Sequence, residues 1–243
     1  MAISTLDAAL LGLVQGLTEF LPVSSSGHLV LFGHALGLTD AADNVFFDTL
    51  LHGATLLAVL CYFARDVGRA AVAFVRAAIA LPRVGGQAFT RPADAPADGA
   101  SYDAADAQLA LFVLIATVPT GLIGVLFKDP LESLFGSPRL VAGALFGTAA
   151  ILVSTRWAWS RAGRQRPLGW LNALIVGTAQ GVAIVPGISR SGSTIAAGLW
   201  CGIAPAQAAR ASFLMSVPAI LGAMALQLRH LGEVSVSGSA AGL

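Results

Sequence analysis

Four stretches of this chain, at 45–64, 108–127, 139–155 and 207–228, run apolar almost without interruption. Crossing the hydrocarbon of a bilayer takes about 20 such residues in a helix. In that solvent every backbone N–H and C=O must be satisfied within the segment, so the helix is the form these runs can take. Composition agrees, with 56 % hydrophobic and only 11 % charged residues among 243, where soluble domains carry roughly 25 % charged. The expected fold class is an all-α polytopic membrane protein, with 1–243 as a single transmembrane domain. A net charge of +1, with no basic cluster interleaved with aromatics, points away from nucleic acid. Cys61 and Cys201 lie far apart in apolar sequence, without CxxC or metal-ligand spacing, and read as buried free thiols. The opening "MAISTLDAALLGL" has no basic n-region and carries Asp7, so a cleaved signal peptide is not expected.

Two further apolar regions, 6–38 and 168–203, are interrupted in their middles by Pro, Gly and Ser. The segment 67–81 is shorter, carries Arg69 and Arg76, and reads as an interfacial helix; 82–106 is polar and rich in Pro, Gly and Ala, and reads as a solvated loop. Basic residues set the orientation. Arg156, Arg161, Arg164 and Arg166 make 156–167 cytoplasmic, and Arg65, Arg69, Arg76, Arg83 and Arg91 put 64–106 on the same side. Lys128–Pro138, with one lysine and two acids, suits the outer face.

The two interrupted regions resemble each other. "LLGLVQGLTEFLPVSSSGHL" and "LIVGTAQGVAIVPGISRSGST" match at Gly12/Gly177, Gln15/Gln180, Gly16/Gly181, Ser24/Ser189, Ser26/Ser191 and Gly27/Gly192, each pair 165 positions apart. At the same offset Ala54 and Leu56 match Ala219 and Leu221, while Pro22 and Pro186 slip by one. The chain therefore reads as an internal duplication, repeat 1 over about 5–82 and repeat 2 over about 168–243, the second short at its C-terminal side. With 64–106 inside, the first interrupted region begins and returns outside; the second follows the basic loop and begins and returns inside. The expectation is an inverted-topology repeat with two re-entrant helical hairpins. Non-helical backbone at membrane depth is tolerated only when protein or a water-filled cavity surrounds it, and broken helices of inverted repeats are a way to build a midplane site.

The first turn supplies Glu19, Ser24, Ser25, Ser26 and His28; the second supplies Ser189, Arg190, Ser191, Ser193 and Thr194. A half-helix is expected to start after each serine cluster, around Leu29 and Ile195, with its free N–H groups and positive dipole end pointing into the site. Gly27 and Gly192 permit close backbone approach, and Arg190 adds a two-pronged clamp suited to phosphate oxygens. The serines read equally well as helix caps. An arginine at membrane depth costs about 2.5–3.5 kcal/mol on insertion scales, so Arg190 needs a ligand or an ion pair, for which Glu19 is the candidate. Gln15 lies one turn before Glu19 on the same helix face. Glu19 is a candidate metal ligand or general base as well as a counter-ion. His28, three residues past Ser25, makes a nucleophile–base relay with it conceivable. His34, His52 and His230 have no comparable polar company; His52 follows Leu50 and Leu51 and reads as packed, with the same cavity as its alternative.

"QGLTEFLPVSSSGH" and "PGISRSGST" resemble the two signature motifs of the undecaprenyl-pyrophosphate phosphatase family, bacterial integral membrane enzymes associated with bacitracin resistance. The resemblance runs from about Thr5 to Leu228 and includes "ASFLMSVPAILGA". It implies removal of the terminal phosphate of a C55 isoprenyl diphosphate, the recycled lipid carrier of cell-wall synthesis, with a divalent cation (Mg2+ or Ca2+), in the bacterial inner membrane with the site facing outward. It also implies contact with membrane lipids, and allows a homodimer. By the same resemblance the acidic motif falls on Gln15 and Glu19, the serine and histidine on Ser25 and His28, and the phosphate-binding arginine on Arg190. Ser24, Ser26, Gly27, Ser189, Ser191, Gly192 and Thr194 complete the expected phosphate cradle. Many members carry glutamate where this chain has Gln15, which puts more of the metal-holding on Glu19. The alternative function is transport or flipping of a lipid-linked phosphate, which needs the cradle but no activated nucleophile.

The orientation is testable in a chain lacking Cys61 and Cys201. Single cysteines introduced by Gly163→Cys and Ser133→Cys should react with a membrane-impermeant thiol reagent from opposite sides of the membrane; reaction of both from one side would refute the inverted arrangement.

Overall fold

The computed structural model describes residues 3–38, 41–62, 64, 67–68, 71–72, 75, 100–161 and 166–240. Among them the chain forms helices and no strand. We number these α1 (Thr5–Thr18), α2 (Ser25–Ala35), α3 (Ala41–Tyr62), α4 (Ala100–Leu126), α5 (Lys128–Leu134), α6 (Pro138–Arg161), α7 (Trp170–Val182), α8 (Arg190–Trp200) and α9 (Pro205–Ala240).

Both interrupted regions come out as helix, break, helix. Ser4 opens α1, its hydroxyl accepting the Asp7 N–H at 3.1 Å, and Leu11 and Gln15 turn inward. The helix ends before Pro22, which has no N–H to donate and which disfavours helical backbone at the residue before it. In the second region the break between α7 and α8 contains Pro186 and, at φ +96°, Gly187. Glycine is required there: a Cβ would stand 2.5 Å from the Val141 carbonyl oxygen.

The core gathers where α7 lies along α4. Their backbones meet at Gly177, where a Cβ would sit 2.1 Å from the Ala116 carbonyl oxygen. Thr120 Oγ1 lies 3.0 Å from that oxygen and 2.8 Å from the Gly177 carbonyl oxygen, tying the two helices together. Phe112 and Ala116 of α4, Val176 of α7 and Met215 of α9 close the cluster with almost no exposed surface. Around it, α8 packs against α6, α7 and α9, α2 against α6, and α3 against α9 and α1. This small-residue contact is how helices associate closely in a solvent as apolar as themselves.

The outer surface is apolar too. Phe146 is 79 % exposed and Trp157 60 % exposed on α6, with Leu13 and Leu17 exposed on α1. Water does not tolerate a continuous apolar exterior, but lipid does. The helical stretches 107–126, 138–158 and 205–227 are long and apolar enough to cross a membrane. The molecule is an all-helical membrane protein.

Several expectations change. Residues 100–106, read as the end of a solvated loop, are the first turns of α4; alanine-rich sequence with Asp103 near the start favours helix. The span 207–228 lies within the longer α9, and 128–134 is a short helix. Cys61 and Cys201 are free, but Cys61 is exposed on α3 rather than buried, a position that an apolar thiol occupies at little cost against lipid. Of the interfacial segment 67–81, positions 67, 68, 71, 72 and 75 are helical; its remainder, with Arg69, Arg76 and the 82–99 segment, lies outside the described residues, as do Arg65 and Arg164.

Gly177→Val should force α7 off α4, a kind of overpacking that costs typically 1–3 kcal/mol. Thermal unfolding in detergent checks this: the variant should melt well below the wild type, and an unchanged midpoint would contradict the close contact.

Candidate active site

The centre of the site is Glu19, the C-cap residue of α1, 3 % exposed. A buried carboxylate is stable only when its oxygens are taken up by donors, and here donors converge on it from four elements. Gln15 Nε2, one turn back on α1, donates to Oε2 at 2.8 Å. The Ser25 hydroxyl, at the start of α2, donates to the same oxygen at 2.6 Å. His52 Nε2 on α3 lies 3.1 Å from it. Arg190, at the start of α8, pairs with Oε1. Thr55, also on α3, stands 3.4 Å behind Gln15 Nε2.

The two turns differ from the expectation in where their helices begin. α2 starts at Ser25 and α8 at Arg190, so the serine clusters form the first turns instead of preceding them. Ser24 and Ser189 are the N-caps, accepting the N–H groups of Gly27 and Gly192 at 3.3 Å and 3.0 Å. The capping reading of the serines therefore holds for these two, and it accounts for the "SxSG" spacing in both repeats. Ser24 adopts φ +68°, the left-handed region that a serine enters only under constraint. Its counterpart Ser189 sits at φ −73°.

The turns also touch each other. A Cβ on Gly27 would lie 2.9 Å from Gly187 Cα, and one on Gly192 would lie 3.4 Å from the Pro22 carbonyl oxygen. Gly27 lets one turn approach the other, while at Gly192 the contact across the junction is an ordinary one. Ser191 Oγ donates to the Leu21 carbonyl at 3.2 Å across the same junction.

A cavity of about 660 Å³ opens beside this junction. Glu19, Ser24, Ser25, Ser26, Ser189, Arg190 and Ser191 line its polar end, together with Asp48, Thr49 and His52 of α3. The rest of its lining is mostly apolar, from α4, α5 and α9, with Thr117, Thr120, Lys128, Gln180 and Gln227 interspersed. Gln15, Gly27, His28, Gly192 and Thr194 are outside this lining. Gln15 supports Glu19 from behind. Thr194 Oγ1 lies 2.9 Å from the Arg190 carbonyl and 2.7 Å from Ser212 Oγ, bracing the turn that carries the arginine. The His28 ring bonds through Nδ1 to the Ser24 carbonyl at 2.8 Å. A hydroxyl has one proton, and that of Ser25 is directed at the Glu19 carboxylate and not at His28.

Sequence reading missed the contribution of α3 and α6. Asp48, His52 and Thr55 recur at i, i+4 and i+7, a polar stripe on one face of an otherwise apolar helix, and that spacing was the signal available. Thr148 of α6 carried no signal of its own. Its buried hydroxyl donates to the Gly187 carbonyl at 2.7 Å and accepts the Ser189 N–H at 2.8 Å, fixing the turn from outside.

With the geometry in place, the comparisons with known proteins are consistent with one another. The sequence profile of the family described as "Bacitracin resistance protein BacA" matches residues 8–242. The chain is 44 % identical over 223 residues to an "Undecaprenyl-diphosphatase" of Desulfatibacillum aliphaticivorans, covering 92 % of this chain and 77 % of that one. It is similar to the protein of the same name in Salinibacter ruber (43 % over 240 residues; 98 % of this chain, 81 % of the other). A further relative of that name, from Rubrobacter xylanophilus, is 44 % identical over 236 residues, 97 % of this chain and 79 % of its own.

Thr148→Val keeps the shape but leaves the Gly187 carbonyl and the Ser189 N–H unpaired in a buried place, at about 1–3 kcal/mol for each such group. The variant should melt measurably lower in detergent, whereas Thr148→Ser should stay close to the wild type; equal melting of all three would remove Thr148 from the account.

Proposed function

Since the chain belongs to the bacitracin resistance protein BacA family, we propose that it hydrolyses undecaprenyl diphosphate to undecaprenyl phosphate and inorganic phosphate. The observation that carries this is the Ser25–Glu19–Arg190 chain at the polar end of the cavity: a hydroxyl aimed at a carboxylate that is itself held by a guanidinium. A diphosphate on a polyprenyl chain is polar at one end and apolar along the rest, and the cavity lining supplies both a charged and hydroxyl-bearing group and apolar residues. Transport of a lipid-linked phosphate would need the grip but not the serine–carboxylate pair, and the names of the relatives do not favour it.

In this reading the terminal phosphate takes the Arg190 guanidinium from Glu19, two of its oxygens matching the two prongs. The first turns of α2 and α8 add N–H groups that have no intrahelical partner, and the hydroxyls of Ser26 and Ser191 complete the cradle. Freed of the arginine, Glu19 accepts the Ser25 proton. Ser25 Oγ forms a bond to the terminal phosphorus as the bridging P–O bond breaks, and Glu19 passes the proton to the departing lipid phosphate. A water then attacks the phosphoserine, giving its proton to Glu19, which returns it to the Ser25 oxygen as inorganic phosphate leaves. Positioning and charge compensation carry most of the catalysis in phosphoryl transfer. His28, bonded to the Ser24 carbonyl, keeps the first turn in place.

The donor set also fits a hard divalent cation. Asp48 Oδ1 and Gln15 Oε1 are buried acceptors without a hydrogen-bond partner. Among the described residues no cluster of three or more His, Cys, Asp and Glu makes an all-protein metal site. Mg2+ is commonly bound through one or two carboxylates plus substrate phosphates. Asp48, and Glu19 through the oxygen that Arg190 gives up, would hold Mg2+ or Ca2+; when bound it would offset the charge of the diphosphate. In the membrane we place the two broken pairs, α1–α2 and α7–α8, as oppositely oriented re-entrant hairpins within one multi-pass domain of the bacterial inner membrane. The cavity then opens outward, the basic 156–167 segment is cytoplasmic, and a homodimer is compatible with the apolar exterior.

Phosphate release from undecaprenyl diphosphate by purified protein, with and without EDTA, tests the activity. Arg190→Lys should lose most of it although the charge is kept, because an ammonium is a point charge and cannot form the two parallel contacts. Near-normal turnover by the lysine variant would reduce Arg190 to a structural ion pair.

A further inference from the structure

The proposed exchange of Arg190 between Glu19 and phosphate leaves a problem that the known members of the site do not solve. In the resting arrangement Arg190 is the guanidinium on Glu19. When it moves to the phosphate, Oε1 of Glu19 is left to the cation proposed above, and nothing on that side fixes how Oε2 faces Ser25. A carboxylate in that state is free to turn away from Ser25.

His52 resolves this. It stands on α3, which neither signature motif contains, and lines the cavity beside Glu19. Its Nε2 is 3.1 Å from Glu19 Oε2, the oxygen that accepts Ser25, and not the one that pairs with Arg190. The ring is fixed from the other side: Nδ1 lies 2.8 Å from the Asp48 carbonyl oxygen and 3.5 Å from Asp48 Oδ2. Both ring nitrogens thus face oxygen acceptors, and Nε2 is the one directed at Glu19. The i, i+4 spacing of Asp48 and His52 on one helix aims the imidazole without help from any other element.

The geometry points to His52 as the positioning residue that keeps Glu19 on Ser25 while Arg190 is handed to the substrate. This rests on the phosphatase reading above. It acts through Glu19 and not on the phosphate: its N–H holds Oε2 in the orientation that receives the serine proton. Gln15 Nε2 donates to the same oxygen at 2.8 Å, but it comes from α1, the helix that carries Glu19, so it moves with the carboxylate. His52 anchors the carboxylate to α3, and unlike Ser25 it keeps its N–H on Oε2 when the serine proton has moved.

The test compares His52→Leu and His52→Ala, which remove the donor, with His52→Gln, which restores an N–H at similar reach. Purified variants are assayed for kcat and KM on undecaprenyl diphosphate, alongside melting temperature in detergent. Hydrogen bonds to charged groups support an effect of about 10–100-fold, expected here as a fall in kcat for the leucine and alanine variants. Their KM should change much less, because Arg190 and the helix termini still bind the phosphates. The glutamine variant should recover most of the lost kcat. A merely structural role predicts a melting shift without this split and without recovery by glutamine. If the donorless variants keep wild-type kcat, or if glutamine is as slow as alanine, the assignment to His52 is overturned while the phosphatase reading stands. If the wild-type protein releases no phosphate, the phosphatase reading falls and the role of His52 with it.

Discussion

The ion pair between Glu19 and Arg190 is the interaction on which the site depends. It joins the break after α1 to the first turn of α8, segments 171 residues apart in the chain. Each partner alone would be a charge inside a largely apolar interior without its counter-ion, which is penalised heavily. Removing one partner of a buried pair costs roughly 3–5 kcal/mol, because the other is left uncompensated. The pair is therefore a condition for the two broken regions to stay together. The same contact is a clasp between the two turns and lies on the lining of the cavity.

Around that clasp, the polar groups are supported in depth and not merely placed. Thr148 holds both ends of the second turn, Thr194 and Ser212 brace the backbone of Arg190, and Gln15 with Thr55 supports Glu19. In an apolar medium such bonds have no water to compete with, so each satisfied pair fixes geometry as well as energy. The breaks at Pro22 and Pro186 make this possible: they bring helix starts, with their unused N–H groups, to the inside of the protein instead of to its rim.

Much of this was legible in the sequence because the bilayer enforces simple rules. Long apolar runs predicted α4, α6 and α9, and Pro, Gly and Ser inside two of the apolar regions predicted the broken helices. Both turns of the site, and the pairing of Glu19 with Arg190, followed from the cost of a lone charge. What escaped was whatever depends on tertiary neighbours. His52 looked like a packed residue because its company, Glu19, lies on another helix; only the Asp48, His52, Thr55 spacing hinted at a polar face. Thr148 sits in a run of small and apolar residues and becomes visible only once the Gly187 turn is laid on it. His28 was read into a relay with Ser25 from a three-residue spacing; here the Ser25 hydroxyl meets Glu19, and the His28 ring meets the Ser24 carbonyl. The start of α4 at Ala100 was hidden by the polar character of its first turns, which helix propensity outweighs.

One detail of the two capped turns has a consequence for how such a site comes to act. Ser25 and Arg190 occupy the same place in the duplicated motif: each is the first residue of its helix, directly after a capping serine. The counterpart of Glu19 at the 165-residue offset is Ile184, which has no acid function. Two identical turns facing each other would make a symmetric cradle, able to hold an anion equally from either side and with no preferred way to break a bond. Divergence at two register positions, Glu19 against Ile184 and Ser25 against Arg190, removes that symmetry. One copy carries a hydroxyl set against a carboxylate and the other a guanidinium. The polarity of the site is therefore written in the difference between two copies of one motif, and not in either copy alone.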